Sequence, residues 1–159
     1  MITFKNALRC TLAATTVAAL AACGNMGSSS SGSMSSSAAS MSTASFAATL
    51  SSSAEVPPNM SAGSGTLIAT LDKTSNVFTW KVAYTGLTGP ATMAHIHGPA
   101  MPGSNAGVVL PFQGSVSPIE GSATLTAAQV ADLMAGRWYV NVHTAANPGG
   151  EIRGQLMAK

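Results

Sequence analysis

The chain is 159 residues long and carries seven basic and five acidic side chains, a formal net charge of +2. Lys5 and Arg9 sit in an N-terminal leader, so downstream Lys73, Lys81, Arg137, Arg153 and Lys159 balance Glu55, Asp72, Glu120, Asp132 and Glu151; so neutral a surface excludes nucleic-acid binding and purely electrostatic membrane adhesion. Both cysteines, Cys10 and Cys23, fall at or before position 23, which leaves the remainder without a thiol for a disulfide, a nucleophile or a thiolate metal site.

Lys5 and Arg9 form a short positive region, and Ala7 to Ala22 form an apolar run too interrupted to reach the ~20 residues of a membrane span. The run ends in Leu20-Ala21-Ala22-Cys23, which resembles a bacterial lipobox. Residues 1–22 are therefore expected to be a signal peptide and Cys23 the lipidated first residue of the mature protein. A simple secretory signal and a membrane anchor are the competing readings. Residues 23–45, dominated by serine, have almost nothing to bury and read as a flexible tether. Its Met26, Met34 and Met41 are either incidental or soft ligands of the kind Cu(I) prefers.

From Phe46 onward a period of two takes over. In "NVFTWKVAY", Phe78, Trp80, Val82 and Tyr84 share one face, the mark of a half-buried strand. Strands are also predicted over 45–50, 65–71, 92–98, 107–113, 119–126, 137–144 and 151–157, separated by turn-forming stretches such as Val56-Pro57-Pro58-Asn59 and Asn147-Pro148-Gly149-Gly150. One short helix is predicted near 127–135. Thr126 and Gln129 make a capping box, Val130, Leu133 and Met134 an apolar stripe, and Gly136 a C-terminal stop. The fold class is all-β, an antiparallel sandwich or barrel, superoxide-dismutase-like or immunoglobulin-like, with residues 46–159 as its domain.

Three stretches are similar to the CHRD domain, the repeated module first described in the animal protein chordin: "SSAEVPPNMSAGSGTLIATLD", "LTGPATMAHIHGPAMPG" and "GSATLTAAQVADLMAGRWYVNVHTAANPGGEIRGQL". The resemblance covers nearly all of 46–159 and identifies the chain as a single-domain bacterial lipoprotein member. It implies an extracytoplasmic β-domain and says little about activity. A likeness of this fold to the copper–zinc superoxide dismutase sandwich, whose H-x-H element carries copper ligands, is an analogy at the level of fold alone.

All three histidines fall in the two most distinctive motifs. His95 and His97 are two apart on a predicted strand, so both point to one face, with Met93 of the same parity. In "WYVNVHT", Tyr139, Asn141 and His143 lie opposite Trp138, Val140 and Val142. The metal reading is a site of His95, His97 and His143, with Glu151, Met93 and Met101 as further candidate ligands and Arg153 and Asn147 as supporting residues. Copper is the favoured ion and zinc the alternative. The competing reading has the imidazoles hydrogen-bonded to turn carbonyls, Glu151 or Asn147 as scaffold. A third makes them a site for some other ligand. Glu151 and Arg153 flank Ile152 and are expected to share a face, as a plain surface pair or with Arg153 bracing Glu151 toward His143. Glu55 reads as a capping or pairing residue at a loop end.

Other chemistries fail on inventory. There is no G-x-S-x-G elbow, no phosphate-cradling glycine loop and no convergent carboxylate pair, and three histidines cannot supply a two-metal dismutase centre. The leading expectation is a lipid-anchored envelope protein, on the outer-membrane or periplasmic side, that binds metal without catalysis. An adhesion or interaction module with structural histidines is the alternative, and a copper enzyme acting on superoxide or a similar small oxidant the third. Whether the chain is an enzyme, and what protein partners it has, stay open.

Overall fold

The computed structural model describes residues 42–159. The predicted signal peptide, Cys23 and the tether up to residue 41 lie outside the described residues. Nine antiparallel strands follow: β1 (Thr43–Ser51), β2 (Ser64–Asp72), β3 (Val77–Thr85), β4 (Ala91–His97), β5 (Val108–Pro111), β6 (Ile119–Thr124), β7 (Tyr139–Thr144), β8 (Ile152–Gln155) and β9 (Met157–Ala158). They form one sheet in the order β5-β4-β7-β8-β1-β2-β3-β6, with β9 added beside β1. The expected all-β antiparallel architecture is what forms, as a nearly closed, barrel-like sheet.

The period of two does the sorting. Phe46, Ala48 and Leu50 of β1, Leu67, Ala69 and Leu71 of β2, and Phe78, Trp80 and Val82 of β3 all point inward and are buried. Ala94 and Ile96 of β4 and Val140 and Val142 of β7 complete the same face. Between the two edge strands the gap is closed by side chains and a connecting segment. Trp80 stacks on Phe112 with ring centroids 5.2 Å apart, Tyr84 donates from its backbone N–H to Ser117 Oγ and from its hydroxyl to Ser115 O, and Ser115 Oγ donates to Ala91 O.

The helix α1 (Ala127–Met134) begins with the expected capping box, Thr126 Oγ1 accepting from Gln129 N and Gln129 Oε1 from Thr126 N. It stops at Gly136, whose φ of +68° suits a residue without a Cβ. Leu133 is fully buried and Val130 partly so, but Met134 is exposed and not part of the buried stripe. Strands β5, β6 and β7 are each two or three residues shorter than predicted, and two further differences have a reason in the pairing. Strand β1 starts at Thr43, inside the segment read as tether, because its first three residues pair with Asp72, Leu71 and Thr70. The predicted strand over 151–157 is divided into β8, which pairs with β7 and β1, and β9, which pairs with β1 alone. Strand β7 is buried on both faces, all six of its residues being covered. Its core face meets the apolar interior, and its polar face lies under the connections that follow residues 51 and 97.

Candidate metal centre

Strands β4, β7 and β8 lie side by side, and their register assembles the polar face in rows. Met93 is opposite His143, His95 is opposite Asn141 and then Arg153, and His97 is opposite Tyr139 and then Gln155. Residues directly opposite in an antiparallel pair share a face, so the three histidines lie together away from the core. The H-x-H spacing on one strand and the position of His143 on the next thus produce a cluster in which one ligand atom from each ring lies within 4.8 Å of the others.

Each ring has its own setting. His143 Nδ1 is 2.9 Å from Pro148 O and His97 Nδ1 is 2.9 Å from Ala106 O. A carbonyl oxygen can only accept, so both Nδ1 atoms carry a proton, and Nε2 is the nitrogen each ring has left to offer a metal once it is neutral. His97 Nε2 is buried and has no partner. His143 Nε2 lies 3.3 Å from His95 Nδ1 and 2.9 Å from Asn141 Oδ1. The His97 ring is fixed from behind by Tyr139, which stacks on it at 4.8 Å and within 3° of parallel. Burial lowers the pKa of His95, and the neighbouring His143 and His97 lower it further. Burial likewise lowers that of His143, against the opposing effect of the Pro148 carbonyl. A metal ion requires neutral imidazoles with free lone pairs: His97 Nε2 has no partner to displace, whereas His143 Nε2 has to give up its contact with Asn141 Oδ1.

The donor set fits a first-row transition ion. Nitrogens bound at ~2.0–2.1 Å in a tetrahedron are about 3.3 Å apart, the separation found between His95 and His143. Bringing in the third nitrogen shortens a spacing of at most 4.8 Å. The Nδ1–H···O=C bonds of His97 and His143 are the outer-shell contacts that orient metal-bound imidazoles.

The remaining predicted residues are placed differently from the histidines. Glu151 is fully buried, but it precedes β8, and strand parity does not govern it. Its carboxylate accepts from Ser61 Oγ, Thr88 N and Oγ1, Thr144 Oγ1 and Asn147 Nδ2. Desolvation raises its pKa, and those hydrogen bonds outweigh it and hold the carboxyl at about 2. Glu151 is outside the three-histidine group, and Asn147 serves this carboxylate. Arg153 makes no ion pair with Glu151. Its guanidinium donates to Ser104 O and Asn105 Oδ1 and lies 3.4 Å from the Tyr139 ring centroid, so it braces the 98–107 connection and the back of His97's stacking partner. Met93 is half-exposed at the rim, in register with His143, and Met101 is exposed in the 98–107 connection.

Sequence reasoning passed over the part played by three residues. Tyr139 and Asn141 had the right parity, but nothing in their spacing announced contacts with His97 and His143. Glu55 lies in the connection after β1 and is 5 % exposed. Burial pushes its carboxyl up, partly offset by the Arg153 cation, the Val56 amide and the Asn141 side chain. Its position under the sheet's polar face depends on a loop path, for which the only sequence sign was the adjoining Val56-Pro57-Pro58.

No curated protein and no solved structure is significantly similar to the chain. The family model of the CHRD domain matches residues 46–156. That span takes in every strand from β2 to β8, the helix and all three histidines. The chain therefore belongs to the CHRD domain family.

Proposed function

We propose that this CHRD protein is an exported, lipid-anchored envelope protein that binds a transition-metal ion through His95, His97 and His143. The observation that carries the reading is the convergence of three imidazoles in which two Nδ1 atoms are tied to carbonyls while the buried Nε2 of His97 has no partner. Imidazole suits copper and zinc alike, and the thioether of Met93 at the rim tips the preference to copper. The anchor is inferred from Leu20-Ala21-Ala22-Cys23. No helix among the described residues is long and apolar enough to cross a membrane.

Titration of the mature protein with Cu(I), Cu(II) and Zn(II), beside His97→Ala, tests the site. Tight one-to-one binding by the parent and none by the variant is expected, with the β-type circular dichroism of both unchanged. Equal binding by the two proteins would remove the site. For the anchor, mass spectrometry should find a diacylglyceryl thioether on Cys23, and an unmodified N-terminus downstream of it refutes lipidation. A second reading, an interaction module with structural histidines, is favoured by one contact: His143 Nε2 already faces Asn141 Oδ1 at 2.9 Å. It wins if the parent binds none of the ions while replacing His143 destabilises the fold.

A further inference from the structure

We infer that Glu55 is the counter-charge of the histidine centre, a positioning residue that makes the site favour doubly charged over singly charged ions. The inference rests on the metal-binding reading above. Three neutral imidazoles bring no negative charge, so a cation placed among them is compensated only by what lies behind them. The described residues hold five acidic side chains, and four are committed elsewhere. Asp72 accepts from the backbone of Thr74 and Ser75, Glu120 pairs with Lys81 at 2.6 Å, Asp132 pairs with Arg137 at 2.5 Å, and Glu151 is ringed by donors. Glu55 differs from all of them. It is 5 % exposed, and its Oε1 is buried without a hydrogen-bond partner.

Its place relative to the histidines is defined by Asn141. That side chain interacts with the Glu55 carboxyl, and its Oδ1 is 2.9 Å from His143 Nε2. One amide thus separates the carboxylate from a candidate ligand nitrogen. The approach depends on Gly150: a Cβ there would overlap Glu55 Oε1 and come within 2.8 Å of Asn141 Nδ2. Arg153 is the cation that acts on Glu55, but its guanidinium bonds to Ser104 and Asn105 and forms no salt bridge with the carboxylate. A buried carboxylate with an unsatisfied oxygen is costly unless a positive charge is supplied nearby. A metal ion at His95, His97 and His143 supplies it.

The charge of the ion makes this testable, because a fixed carboxylate attracts a dication with twice the energy it exerts on a monocation. In Glu55→Gln, affinity should fall about tenfold for Cu(I) and about a hundredfold for Cu(II) and Zn(II), for an effective dielectric suited to a partly buried site. The tenfold difference between the two copper states appears as a rise of about 59 mV in the one-electron Cu(II)/Cu(I) potential of the bound ion, read by voltammetry. Glu55→Asp keeps the charge but withdraws it by one methylene; it should shift the potential in the same direction by less, and it serves where the glutamine variant does not fold. A residue that merely held its loop would weaken all three ions alike and leave the potential unmoved, and that result overturns the inference while the metal site stands. A parent protein that binds none of the ions overturns both.

Discussion

His143 is the most constrained of the three imidazoles, with a carbonyl on one nitrogen and both an amide oxygen and a second imidazole at the other. Its pKa and that of His95 are lowered in the fold, so the unfolded chain takes these protons first. The metal-free domain therefore loses stability as pH falls through the ordinary histidine value of 6.5. Glu151 adds a lower window. Its carboxyl is held at about 2 against an ordinary 4.5, so a contribution of about 3 kcal/mol is complete above pH 4.5 and disappears as pH falls toward 2. Glu55 works the other way, since burial pushes it up and its protonation returns stability. Urea unfolding of metal-free Glu55→Gln, which lacks that opposing titration, should show a falling midpoint below pH 6.5 and again below 4.5. Adding Glu151→Gln should remove most of the lower step and leave the upper one, since of the lowered carboxyls only exposed Asp72, held down by the Ser75 and Thr74 amides, remains. A flat midpoint between pH 7 and 5 would contradict the burial of neutral imidazoles. The shared face of His95 and His97 was legible from a spacing of two. The fate of Glu151 was not, because its five donors come from four residues scattered between 61 and 147 and follow no period.

At the scale of elements, the connection over residues 98–107 does as much for the site as the strands. Ala106 O accepts from His97, Ala106 N donates to the Tyr139 hydroxyl, and Arg153 holds Ser104 and Asn105. Asn105 also donates to Val56 O and so ties this connection to the one that carries Glu55. Asn105→Ala removes both of its bonds and leaves a buried guanidinium N–H without its acceptor, at a cost of about 1–3 kcal/mol. The same change frees the Ala106 carbonyl to drift, so zinc affinity should fall although no ligand is altered. Denaturation and zinc titration of one variant check both outcomes, and unchanged values would mean that the connection is not clamped. Strands and helix were readable because each writes its own period or cap into neighbouring residues. This clasp is built from residues 48 and 49 positions apart, and it is also why β7 is buried on both faces.

For the whole molecule, the sheet stops short of closure at the join between β5 and β6, the two ends of its order. Trp80 spans it, fully on the core side, with Phe112 stacked on it and Gly121 opposite on β6, where a Cβ would come within 2.6 Å of the indole. Trp80→Ala should cost on the order of 3–5 kcal/mol, measured by thermal or chemical unfolding. A loss below 1 kcal/mol would mean that the join is held by its backbone bonds alone. Alternation alone placed Trp80 in the core, but the near-closure it completes follows from the strand order, which local patterning does not encode. At the other side of the sheet, β9 lies against β1, with Phe46 opposite Ala158 and Lys159 N donating to Ser45 O. The last strand thus lies about 5 Å from the first, within three residues of where β1 begins at Thr43. A unit whose ends meet behaves as a cassette. Copies can be strung in series by short joints, or one can be set into a surface loop of a host with little added loop-closure entropy and without stretching either partner.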